Sequence, residues 1–110
     1  MEGRAHGITP AEVKQKLDKK EDFVLLDVRG HGEHEKLRIE APQVNLIPQP
    51  ILTKSLETLP KDKEIVTMCR RGGRAYQSAC IMKGQGYEDV KFMEGSLTCW
   101  TGDACGKPLL

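Results

Sequence analysis

The sequence predicts an α/β domain with a largely parallel sheet, and three observations carry that prediction. Strand-like runs alternate with helix-like segments through most of the chain. Residues 23–28, Phe-Val-Leu-Leu-Asp-Val, are almost wholly apolar, as in a strand covered on both faces. Glycine and proline stand where one pattern gives way to the next.

The first helix has a full start signal. Thr9 can cap, Pro10 suits the first helical position, and Glu12 completes a capping box. Ile8 and Val13 are spaced as a hydrophobic staple, and Val13 and Leu17 form a one-sided stripe that ends in the charged residues 19–22. Residues 23–28 follow as a strand. Residues 30–40 are polar and read as a loop with a short helix. Val44 to Ile47 reads as a strand stopped by Pro48 and Pro50, and Leu52, Leu56 and Leu59 recur at helical spacing before Pro60. Glu64 to Met68 is the next strand, leading through a loop into a helix over residues 74–83 that ends near Gly84 and Gly86. Val90 to Met93 is the last strand. The tail from Gly95 is turn-rich, with Trp100 as its packing anchor.

The 110 residues are expected to form one domain over 1–110, with 38% apolar residues sufficient for a modest core. The net charge of +1 argues against a nucleic-acid or membrane-surface role. No apolar run approaches a membrane span, and residues 1–7 lack a signal-peptide core, so a cytoplasmic protein is expected. In that compartment Cys69, Cys80, Cys99 and Cys105 read as reduced.

The chemistry concentrates in residues 69–75, Cys-Arg-Arg-Gly-Gly-Arg-Ala. A cysteine at a strand-to-helix turn has backbone N–H groups aimed at it and a helix dipole behind it. Both favour the thiolate, the nucleophilic form. Gly72 and Gly73 are read as giving the loop backbone angles that other residues resist, so that successive N–H groups form an anion-binding concavity. Arg70 and Arg71 at its mouth would attract anionic donors. Phosphate chemistry on cysteine uses Cys-x5-Arg; here Arg74 follows as Cys-x4-Arg and Ala75 holds the sixth place. The loop is one residue too tight for phosphate and suits a single sulfur atom or a smaller anion.

These residues resemble the rhodanese-like sulfurtransferases of the single-domain type, over about residues 7–108. Asp27-Val28-Arg29 looks like that family's Asp-x-Arg strand end, and Glu33 matches an acid that follows it. Residues 39–48 resemble Ile-x-Gly-Ala-x-x-Ile-Pro, and Cys69-x-x-Gly72-x-Arg74 matches the active-site loop. Glu94-Gly95, Trp100 and Gly106-Lys107-Pro108 resemble the closing signature. The sequence departs from the pattern at Leu37-Arg38, Ala41-Pro42 and Glu94-Gly95, in loops flanking the site.

The resemblance implies a three-layer sandwich with a mostly parallel sheet of about five strands flanked by helices. It implies a catalytic Cys69 that takes sulfane sulfur from thiosulfate or a small-molecule or protein persulfide. The sulfur would pass from a Cys69 persulfide to cyanide or a thiol acceptor. Residues Arg70 to Arg74 would line the pocket, and Asp27, Arg29 and Glu33 would brace the loop. No cofactor, metal, nucleic acid or membrane partner is implied, and the oligomeric state is left open. A non-catalytic interaction module of the same fold is the alternative, with arsenate or phosphate chemistry behind it.

Other polar residues receive structural readings. Cys80 is placed on a sheet-facing stripe with Tyr76, Ala79 and Lys83, and so in the core. Cys99 and Cys105 read as packing or surface cysteines. His31 and His34, beside Glu33 and Glu35, lack metal-ligand spacing and read as a solvated polar helix. His6 is placed in a mobile terminus.

Overall fold

A computed structural model describes residues 5–100 of the chain. Five strands form one sheet: β1 (His6–Ile8), β2 (Val24–Asp27), β3 (Val44–Leu46), β4 (Ile65–Met68) and β5 (Val90–Met93). Their spatial order is β1-β5-β4-β2-β3, and every pairing is parallel. The helices are α1 (Pro10–Asp18), α2 (His31–Lys36), α3 (Leu52–Ser55), α4 (Gly73–Gly84) and α5 (Ser96–Trp100).

The all-apolar runs are explained by layers on both faces. Side chains alternate across β2 and β4, so Val24, Leu26 and Ile65 pack with Leu52 of α3, with Leu56 just after it, and with Ala75, Ala79 and Met82 of α4. Leu25, Val66 and Met68 point the other way, onto Val13 of α1 and Leu97 and Trp100 of α5. This is the three-layer sandwich with a parallel sheet that the sequence predicts. The start of α1 also forms as read: the Thr9 hydroxyl accepts from the Glu12 N–H at 3.1 Å, and the Glu12 carboxylate accepts from the Thr9 N–H at 3.1 Å.

Several expectations are corrected. His6 lies in β1, paired to Lys91 of β5, and not in a mobile terminus; the pairing is between distant segments and leaves no local signature. The start of the tail is helical as α5, because its apolar side docks on the sheet. The helix expected over Leu52–Leu59 is broken into α3 between two 3₁₀ turns, Gln49–Ile51 and Leu56–Thr58. On α4 the buried face is Ala75, Ser78, Ala79 and Met82. Tyr76 is therefore exposed, and Cys80 is only half-buried, at the margin of the core.

Candidate active site

β4 delivers Cys69 to the carboxyl end of the sheet, where parallel α/β proteins place their ligand sites. The alternation that puts Thr67 on the α4 side puts Cys69 there too. The Thr67 hydroxyl donates to the Ala75 carbonyl at 2.7 Å, which pins the first turn of α4 over the strand. The chain then turns through residues 70–72 and enters α4 at Gly73.

The sulfur sits inside this turn. The Gly72 N–H donates to Cys69 Sγ at 3.0 Å and the Ala75 N–H at 3.4 Å. Two amide dipoles at a helix start thus converge on one sulfur atom, an arrangement that stabilises negative charge there. Cys69 is a free thiol and only 1% exposed, so its sulfur is largely shielded from bulk water. Arg70 and Arg71 are exposed beside it.

The two glycines differ. Gly72 has φ +115°, in the region that L side chains avoid, and a Cβ there would lie 3.4 Å from the Gly95 nitrogen. Gly73 is the first residue of α4, with open space where a Cβ would stand. The reading that both glycines serve the turn is corrected: the left-handed angle is confined to Gly72, because Gly73 already belongs to the helix.

The guanidinium of Arg74 forms a two-pronged pair with Glu33 of α2, at 2.8 and 2.9 Å. That hydrogen bonding holds the Glu33 carboxyl far below its ordinary 4.5, at about 2, against a smaller opposing effect of desolvation. Arg74 in turn holds its proton more tightly, chiefly through Glu33 and to a lesser extent through charge on Cys69 and Asp27.

Asp27 and Arg29 anchor the same region from the end of β2. Both are buried, and Arg29 Nη2 lies 2.7 Å from Asp27 Oδ2. Arg29 also donates to the carbonyls of Glu33 (3.2 Å) and Leu37 (2.6 Å), so one side chain holds the middle and the C-terminal end of α2. Burial alone would raise the Asp27 carboxyl, but hydrogen bonds from Arg29 and His34 outweigh it and the net displacement is downward. His34 Nδ1 lies 2.8 Å from Asp27 Oδ2, so this histidine is an internal partner and not a solvated side chain. The sequence carries no mark of that contact, since it depends on a six-residue helix folding back over the strand end.

Sequence reasoning also missed the segment behind the loop. The Ser96 hydroxyl accepts from the Cys69 N–H at 3.1 Å and donates to the Met93 carbonyl at 2.9 Å. The Leu97 N–H donates to the Cys69 carbonyl at 3.1 Å, and the Thr98 N–H and hydroxyl donate to the Arg70 carbonyl at 2.8 and 2.7 Å. From sequence, Glu94-Gly95 reads as part of a closing signature in a loop flanking the site, and nothing there marks the bond from Ser96 to Cys69.

Among the remaining cysteines, Cys80 is a free thiol and Cys99 is disulfide-bonded, which corrects the expectation of reduced cysteines at that position. Pairing follows which sulfurs the fold brings together, a property that composition does not encode. Cys105 and the Gly106-Lys107-Pro108 signature lie outside the described residues. Trp100 is 2% exposed and packs against the sheet as an anchor. A cleft of about 720 Å³ opens between the residues preceding β2 and β4 and the start of β3, and none of residues 69–75 lines it. Among the described residues, no helix is long and apolar enough to cross a membrane.

Residues 9–103 match the family described as Rhodanese-like domain. The chain is 34% identical over 96 residues to the putative sulfurtransferase YtwF of Bacillus subtilis, covering 87% of this chain and 90% of that protein. It is 30% identical over 93 residues to a sulfurtransferase of Allochromatium vinosum, covering 84% and 85%. A solved NAD-dependent persulfide reductase from A. fulgidus superposes with a TM-score of 0.72 at 37% identity, over 89% of this chain but 16% of that much longer one. With a cysteine cradled by amide groups at the end of a parallel strand and a family match that spans most of its length, the chain belongs to the rhodanese-like domain family.

Proposed function

We propose that this protein is a sulfurtransferase that carries sulfane sulfur as a persulfide on Cys69. The observation that carries this reading is the convergence of the Gly72 and Ala75 N–H groups on the free Cys69 sulfur. Thiosulfate or a persulfide serves as donor, and cyanide or a thiol serves as acceptor. The Cys69 thiolate attacks the outer sulfur of thiosulfate. The new bond joins Sγ to that sulfur, the sulfur–sulfur bond of thiosulfate breaks, and sulfite leaves with its electron pair. The terminal sulfur of the persulfide then bears the negative charge that the loop amides favour. In the second half-reaction the acceptor attacks that terminal sulfur, and Cys69 departs as thiolate. The exposed Arg70 and Arg71 supply positive charge near the loop for anionic donors.

Asp27, Arg29 and Glu33 hold the loop's surroundings in this scheme. Arg74 belongs with them, since its guanidinium is paired to Glu33.

Intact mass spectrometry after incubation with thiosulfate tests the proposal. The protein is expected to gain one sulfur atom, to lose it on adding cyanide, and to gain none when Cys69 is replaced by serine. Continued sulfur uptake by Cys69→Ser would refute the assignment. No uptake by the unaltered protein from thiosulfate or persulfide donors would favour a non-catalytic interaction module.

A further inference from the structure

Ser96 occupies a conformation that serine rarely adopts. Its φ is +49°, and among the described residues only Lys20 is another non-glycine residue with positive φ. Lys20 is exposed on a turn, whereas Ser96 is completely buried. A Cβ in the left-handed region crowds the following peptide, so a non-glycine residue persists there only when the surroundings over-determine it. Two hydrogen bonds do so here: the hydroxyl accepts from the Cys69 N–H and donates to the Met93 carbonyl. Glycine would meet the backbone requirement without strain but could make neither bond.

We propose that Ser96 is a positioning residue for the chemistry of Cys69: its hydroxyl fixes the Cys69 peptide and so holds Sγ beneath the N–H groups of Gly72 and Ala75. Cys69 is held on both sides by the same short segment, its N–H by Ser96 Oγ and its carbonyl by the Leu97 N–H. Of these two bonds, only the one to Ser96 uses a side chain. Without it the Cys69 N–H is buried with no partner, and the peptide rotates to seek one. The bonds to sulfur are directional and already unequal, 3.0 Å from Gly72 and 3.4 Å from Ala75, so a small rotation weakens both. Serine in place of glycine is then the means by which the end of β5 controls the geometry at the end of β4.

The test separates positioning from folding by comparing Ser96→Gly with Ser96→Ala. Both remove the hydroxyl, but only glycine relieves the backbone. Alkylation of Cys69 by iodoacetamide is followed by peptide mass spectrometry across a range of pH, with thermal unfolding measured alongside. The half-buried free thiol Cys80, on α4, serves as the internal reference. Ser96→Gly is expected to unfold at least as high as Ser96→Ala. In both variants the Cys69 profile should move to higher pH, with alkylation at neutral pH slowed severalfold as the amide bonds to the sulfur weaken. Cys80 should be unaffected. A Ser96→Gly protein with the unaltered Cys69 profile would overturn the proposal, and so would one that fails to fold, since the role would then be structural. Sulfur uptake is the second readout and rests on the function proposed above. If the alkylation profile shifts while the unaltered protein takes up no sulfur, that function fails and the positioning role stands.

Discussion

Gly72 shows how much one residue can decide at this site. Its φ of +115° reverses the chain so that its own N–H points back at Cys69 Sγ, 3.0 Å away. Any side chain at Gly72 would be strained by that angle, with its Cβ in contact with the Gly95 backbone. Gly72→Ala is expected to lower stability by about 1–2 kcal/mol and to slow Cys69 alkylation, as measured by urea unfolding and thiol reactivity. Gly73 provides the contrast. It stands in helical conformation with open space around it, so Gly73→Ala should raise stability by about 0.5–1 kcal/mol. Equal losses at the two positions would contradict the division of roles between them. From sequence the adjacent glycines look interchangeable, because only the backbone angle tells them apart.

Helices α2 and α4 are joined across the mouth of the site by Glu33 and Arg74, two residues 41 positions apart in the chain. The Glu33 carboxyl is held at about 2, below its ordinary 4.5, chiefly by the Arg74 hydrogen bonds. A carboxyl lowered in the folded state adds stability that is present above the unfolded value and lost as the proton returns. The contribution is therefore complete above about pH 4.5 and disappears as the pH falls toward 2. Both side chains are more than a third exposed, 37% and 40%, so solvent screening limits the effect to about 1 kcal/mol. Glu33→Gln should be less stable than the unaltered protein near neutrality, with the difference closing through that acid window. A gap in unfolding free energy that stays constant from neutral to strongly acid pH would refute the assignment. The helix starts tell a related story about what sequence can carry. The Thr9-Pro10-Ala11-Glu12 box was readable because its hydrogen bonds close within four residues. Gly30 and Glu33 open α2 in a similar way, with the Gly30 N–H donating to the Glu33 carboxylate at 3.2 Å, but the second partner of that carboxylate is remote in sequence.

At the scale of the whole molecule, the site depends on a charge network buried beneath it. Asp27 is 1% exposed and is the shared acceptor for Arg29 and His34. Asp27→Ala would leave the Arg29 guanidinium buried without its carboxylate, which is expected to cost about 3–5 kcal/mol and loosen the α2 segment. Chemical denaturation should reveal it; a loss under about 1 kcal/mol would show that water or another acid replaces the partner. The strand order sets the larger frame, since β4 lies between β2 and β5 and both neighbours end beside the Cys69 loop. By itself, the sequence determined the parallel α/β class, the start of α1, and the strand–cysteine–helix unit with its resemblance to the rhodanese-like family. Those features depend on apolar runs, capping residues and motif spacing, which act over a few positions at a time. Only the tertiary structure decided that β1 is a strand, that α4 turns Cys80 to the margin of the core, that Arg74 pairs with Glu33, that Ser96 bonds to Cys69, and that His34 pairs with Asp27. Each of these is a contact between segments far apart in the chain, and its energy comes from partners that no local pattern names.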